Sequence, residues 1–209
     1  ALDANTTGSS NNAVGYDALG ANTTASQNNA FGRNSLGSNT TGSDNSAFGQ
    51  NTLGSATTAS NNTAVGSDAG TAVTTGANNT AVGYIALDAN TTGHSNTVVG
   101  SASGTAVTTG INNVAIGYTA LASATTAADN VIVGKQAGFN ITDSQYNVGI
   151  GNNALQTLTT GDSNVAVGHS AMYSLTTASN NTAVGYSALV ANTTGTNNTA
   201  MGQNAGLSV

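Results

Sequence analysis

The chain has 209 residues and a formal net charge of −6, from eight aspartates set against Arg33 and Lys135. Glutamate, proline, tryptophan and cysteine are absent. The sequence offers no basic face for nucleic acid, no apolar run near the ~20 residues of a membrane helix, and no thiol framework. Low hydrophobicity signals disorder when charge and proline accompany it, but this chain has little of the first and none of the second.

Taken from its start, the chain repeats itself. A glycine closing Asn-x-Ala-Val-Gly falls at 15, 32, 49 and onward to 202, always at steps of seventeen without insertion or deletion. An asparagine precedes each glycine by four residues, from Asn11 to Asn198. A fixed period of this size marks a repeat architecture. Thr, Val and turn formers recur on the period, and helix formers other than Ala and a few Leu are scarce. The expected fold is therefore all-β, a parallel β-solenoid of twelve 17-residue coils, with residues 1–209 as one repeat domain. At ~4.8 Å per lap, twelve laps give a rod of roughly 58 Å. Ala1 and Val209 both fall inside a repeat, which predicts a piece of a longer fibre lacking capping units.

One lap illustrates the expected elements. Asn79-Thr80-Ala81-Val82-Gly83 alternates as a strand, and Ala86-Leu87 begins a second extended piece. Asn90-Thr91-Thr92-Gly93 reads as a turn in which Gly or Asn takes positive φ. Stacked laps turn equivalent residues into ladders. Asn62, Asn79, Asn113 and Asn181, with Gly66, Gly83, Gly117 and Gly185, form the expected lumen ladder. The first Thr of a pair recurs in every lap, from Thr6 to Thr193.

Four residues after the glycine most laps carry Leu or Met, but Gly70, Gly104, Gly138 and Gly206 break the row. Those same laps place Val73, Val107, Ile141 and Val209 three residues further on. Leu158 and Leu175 are exceptions, with both positions apolar. The pattern predicts two positions that share one pocket, because close packing requires volume lost at one to return at the other.

The residue before each glycine is always apolar: Val14, Phe31, Phe48, Val65, Val82, Val99, Ile116, Val133, Ile150, Val167, Val184 and Met201. Successive strand residues point to opposite faces. One arrangement puts Asn, Ala and Gly in a thin lumen and this stripe outside, widened by Val114, Val131, Val148 and Val165. An outward stripe of that length calls for a partner. The reverse arrangement, stripe inside, needs none.

Asn-x-Ala-Val/Ile-Gly-x-x-Ala resembles the repeat of YadA-like trimeric autotransporter adhesin heads. Asn-Thr-Ala-Val-Gly-Tyr-x-Ala-Leu-x-x-Asn-Thr-Thr-Gly looks still more like repeats of phage tail-fibre proteins. The resemblance spans the whole chain, although the period of those heads is shorter than seventeen. It implies a left-handed β-roll, three chains side by side, the Val/Ile stripe as trimer contact, and a chaperone or receptor-binding tip beyond this segment.

Candidate chemistry is thin. His94 and His169 lie 75 residues apart, too far along the rod for a shared metal or triad. The serines and threonines have no adjacent base. Of the aspartates, only Asp17 and Asp68 are read as sharing a column, and the calcium-roll pattern is missing. Sequons at Asn5, Asn22, Asn39, Asn90 and Asn192 follow from the repeat itself. Tyr16, Tyr84, Tyr118 and Tyr186 follow key glycines, as possible glycan contacts or groove fillers between chains. The paired threonines suggest ice binding weakly, since adjacent strand residues face opposite ways.

The sequence thus predicts a non-enzymatic shaft segment of a trimeric extracellular, cell-surface or virion fibre. No catalytic residue, cofactor or metal is expected. The partners would be the chain itself and a cell-surface glycan, with no nucleic acid and no membrane insertion. An end-to-end surface filament, a carbohydrate-binding module and an ice-binding solenoid are the alternatives.

Overall fold

A computed structural model describes residues 1–207. It contains twelve strands of three residues, one per lap. They are β1 Asn12–Val14, β2 Asn29–Phe31, β3 Ser46–Phe48, β4 Thr63–Val65, β5 Thr80–Val82, β6 Thr97–Val99, β7 Val114–Ile116, β8 Val131–Val133, β9 Val148–Ile150, β10 Val165–Val167, β11 Thr182–Val184 and β12 Thr199–Met201. All twelve form one parallel sheet in chain order, and like pairs with like: Ala13 with Ala30, Val14 with Phe31, Thr182 with Thr199. The period is therefore one complete turn of a β-solenoid.

The lap differs from the expected one in how it turns. There is no second strand: Leu87 has φ 55° and lies in a run of turns. Four positions per lap carry positive φ: the key glycine, the second and fourth residues after it, and the fifth before it. In the lap of Gly83 they are Gly83 (138°), Ile85 (49°), Leu87 (55°) and Asn78 (61°). Gly93 and Asn90, where positive φ was expected, do not have it. A left-handed Leu is uphill by roughly 1–2 kcal/mol. Leu87 is completely buried, and a buried Leu recovers about 1.5–3 kcal/mol, so tertiary packing outweighs local preference.

The core is a single column of small residues and Leu. The central strand residue points inward (Ala30, Ala47, Ala64 and Ala115 are buried), whereas the Val/Ile stripe points outward. Val14 is 59% exposed and Phe31 38%. Of the two arrangements the sequence allows, the chain adopts the stripe outside.

The key glycines are not in the lumen as expected. Gly66, Gly83, Gly117 and Gly185 are half-exposed at the corner after the strand. They are required there for backbone reasons. At Gly117, φ is 138° and an added Cβ would run into the Gly134 carbonyl of the next lap.

The shared pocket is present, with a third contributor. A Cβ on Gly104 would meet Val98 and Val107 at 3.3 and 3.6 Å; one on Gly138 would meet Ile141 and Ile132 at 2.9 and 3.2 Å. Val98 and Ile132 replace the usual lumen alanine in those laps. The lap with both Leu155 and Leu158 has Gly149 in the strand centre, where a Cβ would stand 3.2 Å from Ile132 and Leu155. Core volume is thus shared among three positions and adjacent laps. Val209 lies outside the described residues.

Candidate functional site

Two asparagine columns run inside the rod. In the first, each residue joins three laps. The Asn113 backbone N–H and its Nδ2 both donate to Asn96 Oδ1 (3.0 and 3.2 Å), and Nδ2 also donates to the Ala127 carbonyl (2.7 Å). The Asn113 Oδ1 in turn accepts from Asn130 N–H and Nδ2 (3.2 and 3.1 Å). Asn62, Asn79 and Asn181 repeat the pattern and are buried with it. The amide carries two donor hydrogens and an acceptor oxygen on one rigid plane, so it can donate to one lap and accept from another at fixed spacing.

The second column, seven residues after the key glycine, is mixed: Asn5, Asn22, Asn39, Ala56, Val73, Asn90, Val107 and onward. Where asparagines adjoin, Asn22 donates to Asn5 Oδ1 (2.8 Å) and to the Ala25 carbonyl (3.1 Å). Asn90 stands between two valines, and its Nδ2 and Oδ1 are both buried without a partner. This column also holds the sequons at Asn5, Asn22, Asn39, Asn90 and Asn192, whereas those at Asn61, Asn78, Asn180 and Asn197 lie on the exposed column five residues before the key glycine. Asn22, Asn39, Asn90 and Asn192 are buried in the folded chain, which closes them to a glycosyltransferase. The bland reading, repeat chemistry, fits them.

The threonine pair divides its labour. The first hydroxyl donates to the carbonyl of the next lap's first threonine, as Thr91 to Thr108 (3.2 Å) and Thr159 to Thr176 (2.9 Å). The second threonines, such as Thr92 and Thr160, form an exposed row. Only one of the two rows therefore faces water freely, which removes half of the array an ice face would need.

The outward face of the sheet is an extended apolar surface. Its apolar column runs from Val14 to Met201, and Phe31 stacks on Phe48 with ring centres 5.1 Å apart. Tyr16, Tyr84, Tyr118 and Tyr186 are all exposed along the corner beside it. Tyr186 stacks on His169 at 5.2 Å. His169 also meets Ser170 Oγ at 3.0 Å, and His94 meets Ser95 Oγ at 3.3 Å, far from each other. Among the described residues there is no enclosed pocket and no group of three metal-binding side chains. Among the described residues no helix is long and apolar enough to cross a membrane.

Besides Asp17 and Asp68, Asp3 shares a column with Asp88, and Asp44 with Asp129. Burial pushes the Asp88 carboxyl above its usual range. Backbone hydrogen bonds from Asp88 and Ala89 oppose this, and the charge of Asp68 adds to it. One of its oxygens is buried without a partner. No family model matches the chain, and neither the curated proteins nor the solved structures contain a match.

Proposed function

We propose that the chain is a non-catalytic shaft segment of an extracellular or virion fibre, in which three copies associate through the outward face of the sheet. The single observation that carries this is the apolar column on that face, which is exposed in seven of the twelve laps and half-exposed in the other five. A monomeric soluble protein rarely leaves so continuous an apolar strip in water. The resemblance to adhesin-head and tail-fibre repeats supports three chains and a left-handed roll. Such a rod would hold a distal element away from a surface, at a distance set by its number of laps. Native mass measurement tests the reading: a trimer is expected, and a monodisperse monomer overturns it.

A second reading rests on the tyrosine corner. Four exposed phenol rings in one column offer stacking platforms to a cell-surface glycan. Glycan-array binding that disappears in Tyr84→Ala and Tyr186→Ala variants would favour it. The absence of any binding removes it. An end-to-end filament would instead appear as long unbranched rods in micrographs of native material.

A further inference from the structure

The chain enters each strand from the fifth and sixth residues before the key glycine and leaves through the residue after it. These positions therefore border the outward apolar face on opposite edges. The leaving edge carries the only two cations of the protein, Arg33 and Lys135, and also His169. The entering edge carries Asp44, Asp129 and Asp162. Lys135 and Asp129 belong to the same lap, that of Gly134. His169 and Asp162 share the lap of Gly168. Arg33, in the lap of Gly32, lies one lap from Asp44.

These groups do not meet within the chain. Among the described residues the one ion pair is between the Ala1 amino group and Asp3, at 3.5 Å. Arg33, Lys135, His169, Asp44 and Asp162 are exposed, and Asp129 is half-exposed. Two other aspartates, Asp17 and Asp68, lie on the leaving edge one residue past the cation column, where Asp68 is held through both oxygens by Asn51 and Ser67; Asp129 and Asp162 each accept through one oxygen only, from Asn112 Nδ2 and the Gln145 N–H. His94, on the entering edge, stands in the lap of Ser101 and has no acid opposite.

We infer that a second copy of the chain, parallel and in lap-for-lap register, docks on this face. Lys135 of each copy then faces Asp129 of the neighbour, His169 faces Asp162, and Arg33 reaches Asp44. The inference rests on the self-association proposed above and adds its orientation and register. The geometry is simple. When two rods meet face to face and run the same way, the leaving edge of one lies against the entering edge of the other. Any ring of parallel copies about an axis along the rod, a trimer included, repeats this relation. Antiparallel rods would set leaving edge against leaving edge, cations against tyrosines, and aspartates against their own column.

Register follows from the same comparison. At zero offset two of the three basic residues have an acid in their own lap, and the third has one a lap away. A one-lap slip in one direction keeps a single match, Arg33 with Asp44. A slip in the other leaves Lys135 against Asn112 and His169 against Gln145, with no match. The apolar column is nearly uniform from lap to lap, so it supplies adhesion without specifying register. Charges at the rim of an interface contribute little affinity but discriminate between alignments.

Disulfide trapping tests this directly, since the protein has no cysteine of its own. Chains with Asp129→Cys are co-expressed with chains carrying Lys135→Cys and then oxidised. Intermolecular crosslinks between the two are expected, with few when either variant is expressed alone. A pairing of Tyr84→Cys with Lys135→Cys probes the antiparallel alignment, in which those laps meet. Crosslinking there in place of the first pair overturns the inference. Oligomers on native mass measurement that fail to crosslink at 129 and 135 also overturn it, and leave self-association standing. A monomer overturns both readings. As a second measurement, Lys135→Asp and Asp129→Lys each raise the concentration at which the assembly dissociates several-fold, and the double exchange restores it. Failure of the double variant to recover counts against the pairing.

Discussion

The two buried asparagine columns make an instructive contrast. The one four residues before the key glycine is unbroken, and each of its internal amides bonds with the laps on both sides. The one seven residues after the glycine mixes runs of amide with runs of hydrocarbon, and at Asn90 both polar atoms are stranded. Without an Asn neighbour an amide depends on its own turn: Asn192 exchanges two hydrogen bonds with Gly195, whereas Asn90, between two valines, makes neither. The mixed column tolerates Ala, Val, Ile and Leu because it borders the packed core rather than the strand entry. There Val73 and Val107 fill the space beside Gly70 and Gly104.

The largest effect comes from breaking the stack at its backbone. Gly117→Val combines a side chain at φ 138° with a collision against the Gly134 carbonyl. We expect a loss beyond about 4–5 kcal/mol, the range of exceptional substitutions, seen as failure to recover folded protein or a collapse in melting temperature. Next, Asn113→Leu removes one rung of the complete ladder and strands the Asn130 N–H and the Ala127 carbonyl. At ~1–3 kcal/mol for each orphaned group, urea denaturation should show a loss on the order of 2–5 kcal/mol.

The opposite sign is expected in the mixed column. Asn90→Val removes two unpartnered polar atoms and continues a run of valines, so stability should rise by roughly 1–3 kcal/mol. A destabilised Asn90→Val variant would show that the two columns obey the same rule after all. The smallest effect concerns Asp88. Its folded-state pKa lies above the ordinary value because of burial. The folded chain therefore holds that proton more tightly than the unfolded chain does, and the stabilisation fades as pH rises through the folded value. Asp88→Asn should raise the melting temperature slightly at pH 7 and leave it nearly unchanged at pH 3.

Much of this architecture was legible because a strict period compares seventeen environments twelve times over. Stacking, the sequence of laps and the exchange between Leu and Val all followed from residues alone. The second strand was misread because Ala-Leu carries no turn chemistry of its own. Leu87 takes a left-handed conformation under the pull of burial, which local preference cannot reveal. A signal was nonetheless present. Gly70, Gly104 and Gly138 substitute for Leu in that column, and glycine is the residue that adopts positive φ freely. Asn and Asp recur two after and five before the key glycine, as Asn34, Asp68, Asn78 and Asp129, and these too favour the left-handed region. For the key glycines, smallness suggests crowding by side chains and so a place in the lumen. The crowding they relieve is with the next lap's backbone. On the outward face, the stripe was visible as a pattern, but which way it pointed required the fold.

Because each strand pairs only with the strands of adjacent laps, the backbone cross-section is the same wherever the rod is cut. Removing or duplicating one lap of coding sequence would rejoin the same backbone ladder and change the length by about 4.8 Å, with only the core volume shared between neighbouring laps to rebalance. Such a molecule is a ruler whose graduations are written in the gene, and its reach can drift by recombination between repeats while everything perpendicular to the axis stays constant.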